Sequence, residues 1–435
     1  MLKTVALKAA VVKTAALRAL ASKDKVRVLT ALVVLVGAVA SWRALRPSWQ
    51  VPLPTWATRP EERMQDFRDA LYFPIREFLA GGNPYDPATM VEHWPVRQTF
   101  NLYQPYHLLL HAPFALPGYR VGAVAFALAS LVLLVALAVL AAGRLRPHVP
   151  LALGTGVIAT LLVLSQVGKA QLYVGQVNPL IALGAAGALL ARRDAPRWAA
   201  VALALAWLKP QFGLPLAVLL FVRGSQRVAV TGTAVAAVAS MVVVVPLVVR
   251  GGGVGPFLDV IAANLAHAGE TAYGAVDSMT AQRIDLAAVL YRVTGWLPGG
   301  AEPVALVGVL VVSAVLVRRL DRMGQPAAAD LLTCLAVVAA MVHQPGDVLI
   351  AVPSLVAVGV VLWRGRCERD WRLGLSVVLL LVPFAHLHFV SLAIRAVTGA
   401  RVDVTVDGVA VVVAWVLAAV FAATRRCSAV GTVRT

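Results

Sequence analysis

The side chains that could do chemistry in this sequence come in short polar insertions between long apolar runs. In Asp66-Phe67-Arg68-Asp69-Ala70-Leu71-Tyr72-Phe73, with Phe78 beyond it, apolar residues fall at 67, 70, 71 and 78. That spacing predicts a helix lying against a membrane, with Asp66 and Asp69 near one face. A carboxylate at the mouth of an intramembrane cavity can serve as a general base if partial burial and an acceptor hydroxyl bring it within hydrogen-bond reach. A solvated helix face is the competing reading of either aspartate. The helix must stop at Gly81-Gly82-Asn83-Pro84-Tyr85, where glycine and proline turn the chain.

Three more insertions interrupt apolar sequence: Gly175-Gln176-Val177-Asn178, Leu208-Lys209-Pro210-Gln211 and His343-Gln344-Pro345-Gly346-Asp347. Ionisable groups at membrane depth are costly and usually face a cavity or a partner. Lys209 therefore calls for an anion such as a lipid phosphate, unless it pairs with a protein carboxylate or snorkels to the interface. His343 and Asp347 stand one helical turn apart; two ligands alone favour a hydrogen-bonded loop pair over a metal site. His107, His111, His386 and His388 lack metalloprotease spacing, and Gly251 to Gly253 is not followed by a phosphate-loop lysine. Asp277, Ser278, Gln282 and Arg283 could line the same cavity or simply lie on the surface.

The elements that must position these groups are membrane helices. Of 435 residues, 60% are hydrophobic and 14% charged, against about a quarter charged in soluble domains. Apolar runs recur from Val28 to Thr424, and a span needs roughly 20 such residues. Runs such as Val121 to Ala142 are apolar all round, which excludes the alternation of a barrel strand. The fold expected is an all-α polytopic membrane protein with about 11–13 transmembrane or re-entrant helices and amphipathic helices in the first outer loop. The net charge of +18 sits in clusters between apolar runs, so it reads as an orientation signal rather than a nucleic-acid surface. Cys334, Cys367 and Cys427 show no CxxC spacing, so neither a disulfide framework nor a zinc site is indicated.

The positive-inside rule places the basic segment 1–27 in the cytoplasm. Cleavage after Ala38-Val39-Ala40 is an alternative, against which stands the length of that basic region. All later arginine clusters, at 144–146, 192–197, 223–227, 318–322, 364–369 and 425–426, can be cytoplasmic together. This requires segments near 28–43, 120–142, 150–166, 177–191, 198–208, 212–222, 228–249, 286–297 or 301–317, 327–343, 347–363, 372–390 and 405–424. The two around Lys209-Pro210 are too short to cross alone, which predicts a broken or re-entrant hairpin. One integral membrane domain, 28–426, and a cytoplasmic tail, 427–435, follow. Long segments 44–119 and 250–285 face outward, with shorter outer loops near 167–176 and 391–404.

The order of these insertions resembles glycosyltransferase family 87. Asp66-Phe67, Tyr72 and Gly82-Asn83-Pro84-Tyr85 are similar to that family's first-loop segment, and Tyr103-Gln104-Pro105-Tyr106 leading to Pro113 to its tyrosine-proline stretch. Gly175-Gln176-Val177-Asn178 and Leu208-Lys209-Pro210 match in kind and order; Asp277-Ser278-Met279 with Arg283 is a weaker echo, and His343 to Asp347 departs most. The resemblance, over roughly residues 28–365, implies a GT-C fold without cofactor or metal. It implies inverting transfer of a sugar, mannose first and arabinofuranose second, from a polyprenyl-phosphate donor to a lipid- or glycan-bound acceptor outside a bacterial cytoplasmic membrane. Asp66 would be the base and Lys209 would meet the phosphate. Asn83, Tyr85, Tyr103, Gln176 and Asn178 would position sugar hydroxyls, with His343 and Asp347 as further substrate contacts. A lipid-linked-sugar transporter or flippase is the competing class, motivated by the broken hairpin, and a non-catalytic assembly subunit a third.

Overall fold

The computed structural model describes residues 2–278, 283–365, 370–385, 393, 396–397 and 405–425, with side chains from 24 onward. Gln282, Met279, His386, His388, Cys367, Cys427 and the tail 427–435 lie outside the described residues, as does most of the loop 391–404. Helices are the regular structure of the described chain, with no strand among the described residues. In order the helices are α1 Leu2–Trp49, α2 Phe73–Ala80, α3 Pro87–His93, α4 His107–Leu110, α5 Ala112–Ala115, α6 Tyr119–Gly143, α7 Leu151–Leu164, α8 Gln166–Val174 and α9 Asn178–Ala191. Then follow α10 Pro196–Ala206, α11 Pro210–Val222, α12 Gln226–Arg250, α13 Val254–Glu270, α14 Leu286–Thr294, α15 Ala301–Arg322, α16 Pro326–Ala340, α17 Val352–Arg364, α18 Trp371–Leu380 and α19 Val406–Thr424.

Six of these are long and apolar enough to cross a membrane: Asp24–Trp49, Tyr119–Gly143, Gln226–Arg250, Ala301–Arg322, Pro345–Arg364 and Val406–Thr424. The pair α7 and α8 is long and apolar enough only when taken together, as a broken span or a re-entrant loop bent by 66°, where Ser165 ends one helix in extended backbone and caps the next by accepting from the Gly168 N–H. The first helix runs without a break to Trp49, six residues into the stretch expected to be loop. No glycine pair or cap residue stops it near Leu45, and Pro47 ends it only two residues later.

Five apolar helices are shorter, Asn178–Ala191, Pro196–Ala206, Pro210–Val222, Pro326–Ala340 and Trp371–Phe384. The ends of three of them, α9, α11 and α16, are tied to the end of α15 by charge. Arg192 at the end of α9 and Arg223 at the end of α11 both reach Asp321 near the end of α15, at 3.1 and 2.7 Å. Arg223 also meets Asp330, in the first turns of α16, at 2.8 Å. These ends therefore share one side of the molecule, as their arginine content predicts. From that side α10 rises and α11 returns, so Trp207-Leu208-Lys209 is the tip of a hairpin.

Proline sets the tip. It restricts the residue before it to extended backbone and, as the first helical residue, loses no hydrogen bond. Lys209 is accordingly extended (φ −112°, ψ 113°) before Pro210, and Gln344 (φ −113°, ψ 164°) before Pro345. Pro179 likewise stands in the first turn of α9, where its missing N–H costs no helical hydrogen bond. Small residues let the half-helices approach closely: a Cβ on Gly184 of α9 would lie 2.6 Å from the Ala202 carbonyl of α10.

Beyond the hairpin tip the two long segments that follow α1 and α12 pack together. The Asn264 side chain of α13 accepts from the Asn101 N–H (3.0 Å) and donates to the Asn101 carbonyl (2.9 Å), and Thr99 meets His267 at 2.7 Å. Sequence reading treated 250–285 as loop; a 17-residue helix occupies its first half.

Candidate active site

Beneath these two segments lies a cavity of about 610 Å³ whose lining includes Asp66, Tyr103, Gln176, Lys209, His343 and Asp347. They come from five breaks in helical structure, His343 and Asp347 sharing the one between α16 and α17, so the breaks meet in space although they are scattered over nearly 300 residues of sequence.

Asp66 sits at the start of a π-helical turn, Phe67–Tyr72, rather than of an α-helix. The Phe73 N–H donates to the Arg68 carbonyl, five residues back. Such turns are rare and often occur at functional sites. The turn is held from behind by Phe67, whose ring lies 5.8 and 5.2 Å from those of Tyr119 and Phe126 on α6. Gly175 faces it from the other side with φ +78°, where a Cβ would come within 2.8 Å of the Phe67 Cβ. A side chain there is excluded both by backbone conformation and by space.

The π turn separates the two aspartates that an α-helix would place together. Asp69 turns away from the cavity and is fully buried, bound by Arg68 at 2.6 and 3.0 Å. It also accepts the backbone N–H groups of Arg97 (3.1 Å) and Gln98 (3.0 Å), so it ties down the strip that forms the cavity rim. Asp66 faces the cavity. Burial pushes its carboxyl up to about 6, against the pull of the Lys209 ammonium and the Gln176 amide.

Lys209 has neutral close contacts. Its ammonium donates to Asn178 Oδ1 at 2.8 Å and stands 5.5 Å over the Tyr103 ring. The Asn178 amide donates in turn to Gln176 Oε1 (2.6 Å) and Asp347 Oδ1 (2.7 Å). Asp347 Oδ2 accepts from the Gln344 N–H at 2.9 Å and completes a capping box. A polar chain therefore links Lys209, Asn178, Gln176 and Asp347.

The sequence-derived residues divide accordingly. Asp66, Tyr103, Gln176, Lys209, His343 and Asp347 come together on the cavity wall. Asn178 stands behind the wall with its amide occupied by protein partners. Asn83 and Tyr85 do not line the cavity: Asn83 caps its own turn by accepting from the Tyr85 N–H, and the buried Tyr85 hydroxyl donates to the Tyr103 carbonyl at 3.0 Å. Their contribution is to hold Tyr103. His343 bonds to the Met341 carbonyl through Nδ1 (3.0 Å) and packs edge-on against Phe212, while its buried Nε2 has no partner. It does not pair with Asp347 through a hydrogen bond, as the loop-pair reading expected; Asp347 is taken up by Asn178 and Gln344 instead.

Arg283 reaches the cavity already neutralised by Asp285 (2.8 and 2.9 Å) and Glu302 (2.6 Å), and it donates to the Gly274 carbonyl. Asp277 is exposed. Gln65, Arg97, Gln98 and Tyr273 also line the cavity without a sequence signal, because the Asp69 anchor and the packing of α13 bring them there. Among the described residues no three His, Cys, Asp or Glu side chains converge as metal ligands.

Residues 101–345, more than half of the chain, match the model of glycosyltransferase family 87. No curated protein and no solved structure matches. The matched stretch holds Tyr103, Gln176, Asn178, Lys209 and His343; Asp66, Asn83, Tyr85 and Asp347 lie outside it, so what is said of them rests on geometry alone.

Proposed function

Because the chain belongs to glycosyltransferase family 87, we propose that this multi-pass membrane glycosyltransferase takes its sugar from a polyprenyl-phosphate donor and passes it to a lipid- or glycan-bound acceptor. The observation that carries the reading is that a cavity-facing carboxyl, raised to about 6, shares one enclosed space with an ammonium whose close contacts are neutral. Such a pair can serve the two ends of a displacement.

Asp66 takes the proton of an acceptor hydroxyl as that oxygen attacks the anomeric carbon from the face opposite the phosphate. The carbon–oxygen bond to the phosphate breaks, and the leaving phosphate carries the electron pair. Lys209 meets that charge; its amino group is held by Asn178 and needs no reorganisation when the charge develops. Tyr103 and Gln176 face the sugar, and Tyr85 supports Tyr103 from behind. Mannose is the first candidate donor sugar and arabinofuranose the second. The cavity opens outward from a bacterial cytoplasmic membrane, with both termini on the cytoplasmic side.

The test is transfer by the detergent-purified chain from a panel of polyprenyl-phosphate sugars to an envelope lipid extract, read by mass. The expected result is a product heavier by one sugar residue, lost in Asp66→Ala. Wild-type transfer rates in a folded Asp66→Ala sink the assigned base. Lys209→Met is expected to weaken use of the lipid-phosphate donor at least tenfold while leaving the KM for acceptor within about twofold; unchanged donor use removes the phosphate role. Translocation of the lipid with no new glycosidic bond would favour a carrier.

A further inference from the structure

Helix α10 ends at Ala206 and α11 begins at Pro210, and the last carbonyls of a helix have no helical donor. The Trp207 N–H returns to the Leu203 carbonyl (3.1 Å) and the Leu208 N–H to that of Leu205 (3.3 Å), which leaves the carbonyls of Ala204 and Leu208 over. Both residues are buried, so these oxygens need donors from the protein. One short strip of the segment after α1 supplies them. The Tyr106 hydroxyl donates to the Ala204 carbonyl at 2.5 Å, and the Gln104 N–H to the Leu208 carbonyl at 3.0 Å.

The same strip is tied from its other side. The Tyr85 hydroxyl donates to the Tyr103 carbonyl (3.0 Å), and the Asn101 side chain accepts the Tyr103 N–H (3.0 Å). Residues 103–106 therefore join the hairpin tip to the segment in which Asp66 lies. The Leu208 carbonyl belongs to the peptide unit that precedes Lys209, so the strip also fixes where the Lys209 backbone stands. Beyond it, the ammonium has Asn178 Oδ1 at 2.8 Å and the Tyr103 ring at 5.5 Å. Both contacts are lost if the tip moves away from the strip. Gln104 makes its bond through the main chain; the Tyr106 hydroxyl is the tie that a side-chain change removes.

We propose that Tyr106 is a positioning residue: its hydroxyl clamps the hairpin tip against the 103–106 strip and so sets the Lys209 ammonium between Asn178 and the Tyr103 ring. The proposal rests on the phosphate role given to Lys209 above and adds what holds that group in place before charge develops. Tyr106 is buried and does not line the cavity, so it acts on the donor through Lys209.

The experiment compares wild type, Tyr106→Phe, Lys209→Met and the double variant, each as the full chain in phospholipid nanodiscs. Tyr106→Phe keeps the ring in its packing and leaves one buried carbonyl unpaired. It is expected to weaken decaprenyl phosphate binding about tenfold when Lys209 is present and less than about twofold when residue 209 is already methionine, because the clamp then has nothing to place. Equal loss in both backgrounds marks general loosening and overturns the proposal. A second readout needs no donor: acetylation of Lys209 by acetic anhydride, read by mass against the exposed Lys169 of the same chain. In Tyr106→Phe the Lys209 rate is expected to rise about threefold or more as the amine leaves Asn178 and Tyr103; an unchanged or slower rate overturns the proposal. Ser376→Ala removes another buried hydroxyl bond to a helix carbonyl, that of Ala414, and should leave both readouts as in the wild type; the same changes there would also overturn it. Faster acetylation in Tyr106→Phe, with decaprenyl phosphate bound by none of the four proteins, would keep the clamp and remove the phosphate role of Lys209.

Discussion

Asp66 and Asp69 are three residues apart, and their different environments give them different work. Asp69 is spent on Arg68 and two backbone N–H groups; Asp66 is held where ionisation is disfavoured. A base with its midpoint near 6 is deprotonated above that value and protonated below it. The expected kcat/KM of transfer therefore falls about tenfold per unit on the acid side of 6 and levels above it, a profile measurable with an acceptor that does not itself titrate. The same shift has a stability sign. Because the folded value of Asp66 lies above its ordinary 3.8, its protonated form is favoured by folding, and that stabilisation is lost as pH rises through about 6. Asp66→Asn should consequently have a higher Tm than the wild type at pH 8 and the same or lower Tm at pH 4, while losing about a hundredfold or more of its rate. An equal Tm difference at both pH values would contradict the enclosed-carboxylate account.

At the scale of elements, the site is assembled from helix ends. The Lys209 tip, the start of α9 and the turn before α17 form one side, and the two long segments after α1 and α12 form the other. What joins these segments is the reciprocal pair between Asn101 backbone and Asn264 side chain, both residues being buried. Asn264→Ala leaves a buried N–H and carbonyl without partners, at a cost of about 1–3 kcal/mol for each. The expected consequence is local: faster limited proteolysis between 251 and 274, flanked as it is by Gly251 to Gly253, together with a raised KM for acceptor. Global unfolding in detergent should shift less than the proteolysis rate does. Proteolysis at the wild-type rate would mean that α13 is held by other contacts.

At the scale of the whole molecule, one ion network and the cavity lie at opposite ends of α11. Arg192, Arg223 and Asp330 are buried and meet the half-buried Asp321 among helix ends at one side, and breaking such a network costs about 3–5 kcal/mol because it strands a buried charge. The proposed orientation makes that side cytoplasmic. In a background with Cys367 and Cys427 replaced by serine, Tyr273→Cys should label with a membrane-impermeant maleimide added outside intact cells. Arg193→Cys, whose arginine is 63% exposed, should label only after the membrane is opened. The reverse pattern would turn the molecule over and place the cavity inside.

The amino-acid sequence by itself determines the class of this protein, since hydropathy and arginine placement are linear properties. It also marks where helices break, because proline after Asn178, Lys209 and Gln344 acts on its immediate neighbours. The short hairpin at Lys209 was legible for that reason, as were six of the residues that line the cavity, Asp66, Tyr103, Gln176, Lys209, His343 and Asp347. Tertiary packing alone decides which polar groups remain free. Asn178 looks as available as Gln176 in sequence, yet it stands behind the cavity wall with its amide taken up by partners about 30 and 170 residues away. Asn83 and Tyr85 likewise face their own loop. The π turn that parts Asp66 from Asp69 has no sequence period of its own; it arises where the Phe67 ring must pack on α6 while Asp69 closes on Arg68. A hydrogen bond depends on distances in space, and the packing of helices far apart along the chain sets those distances.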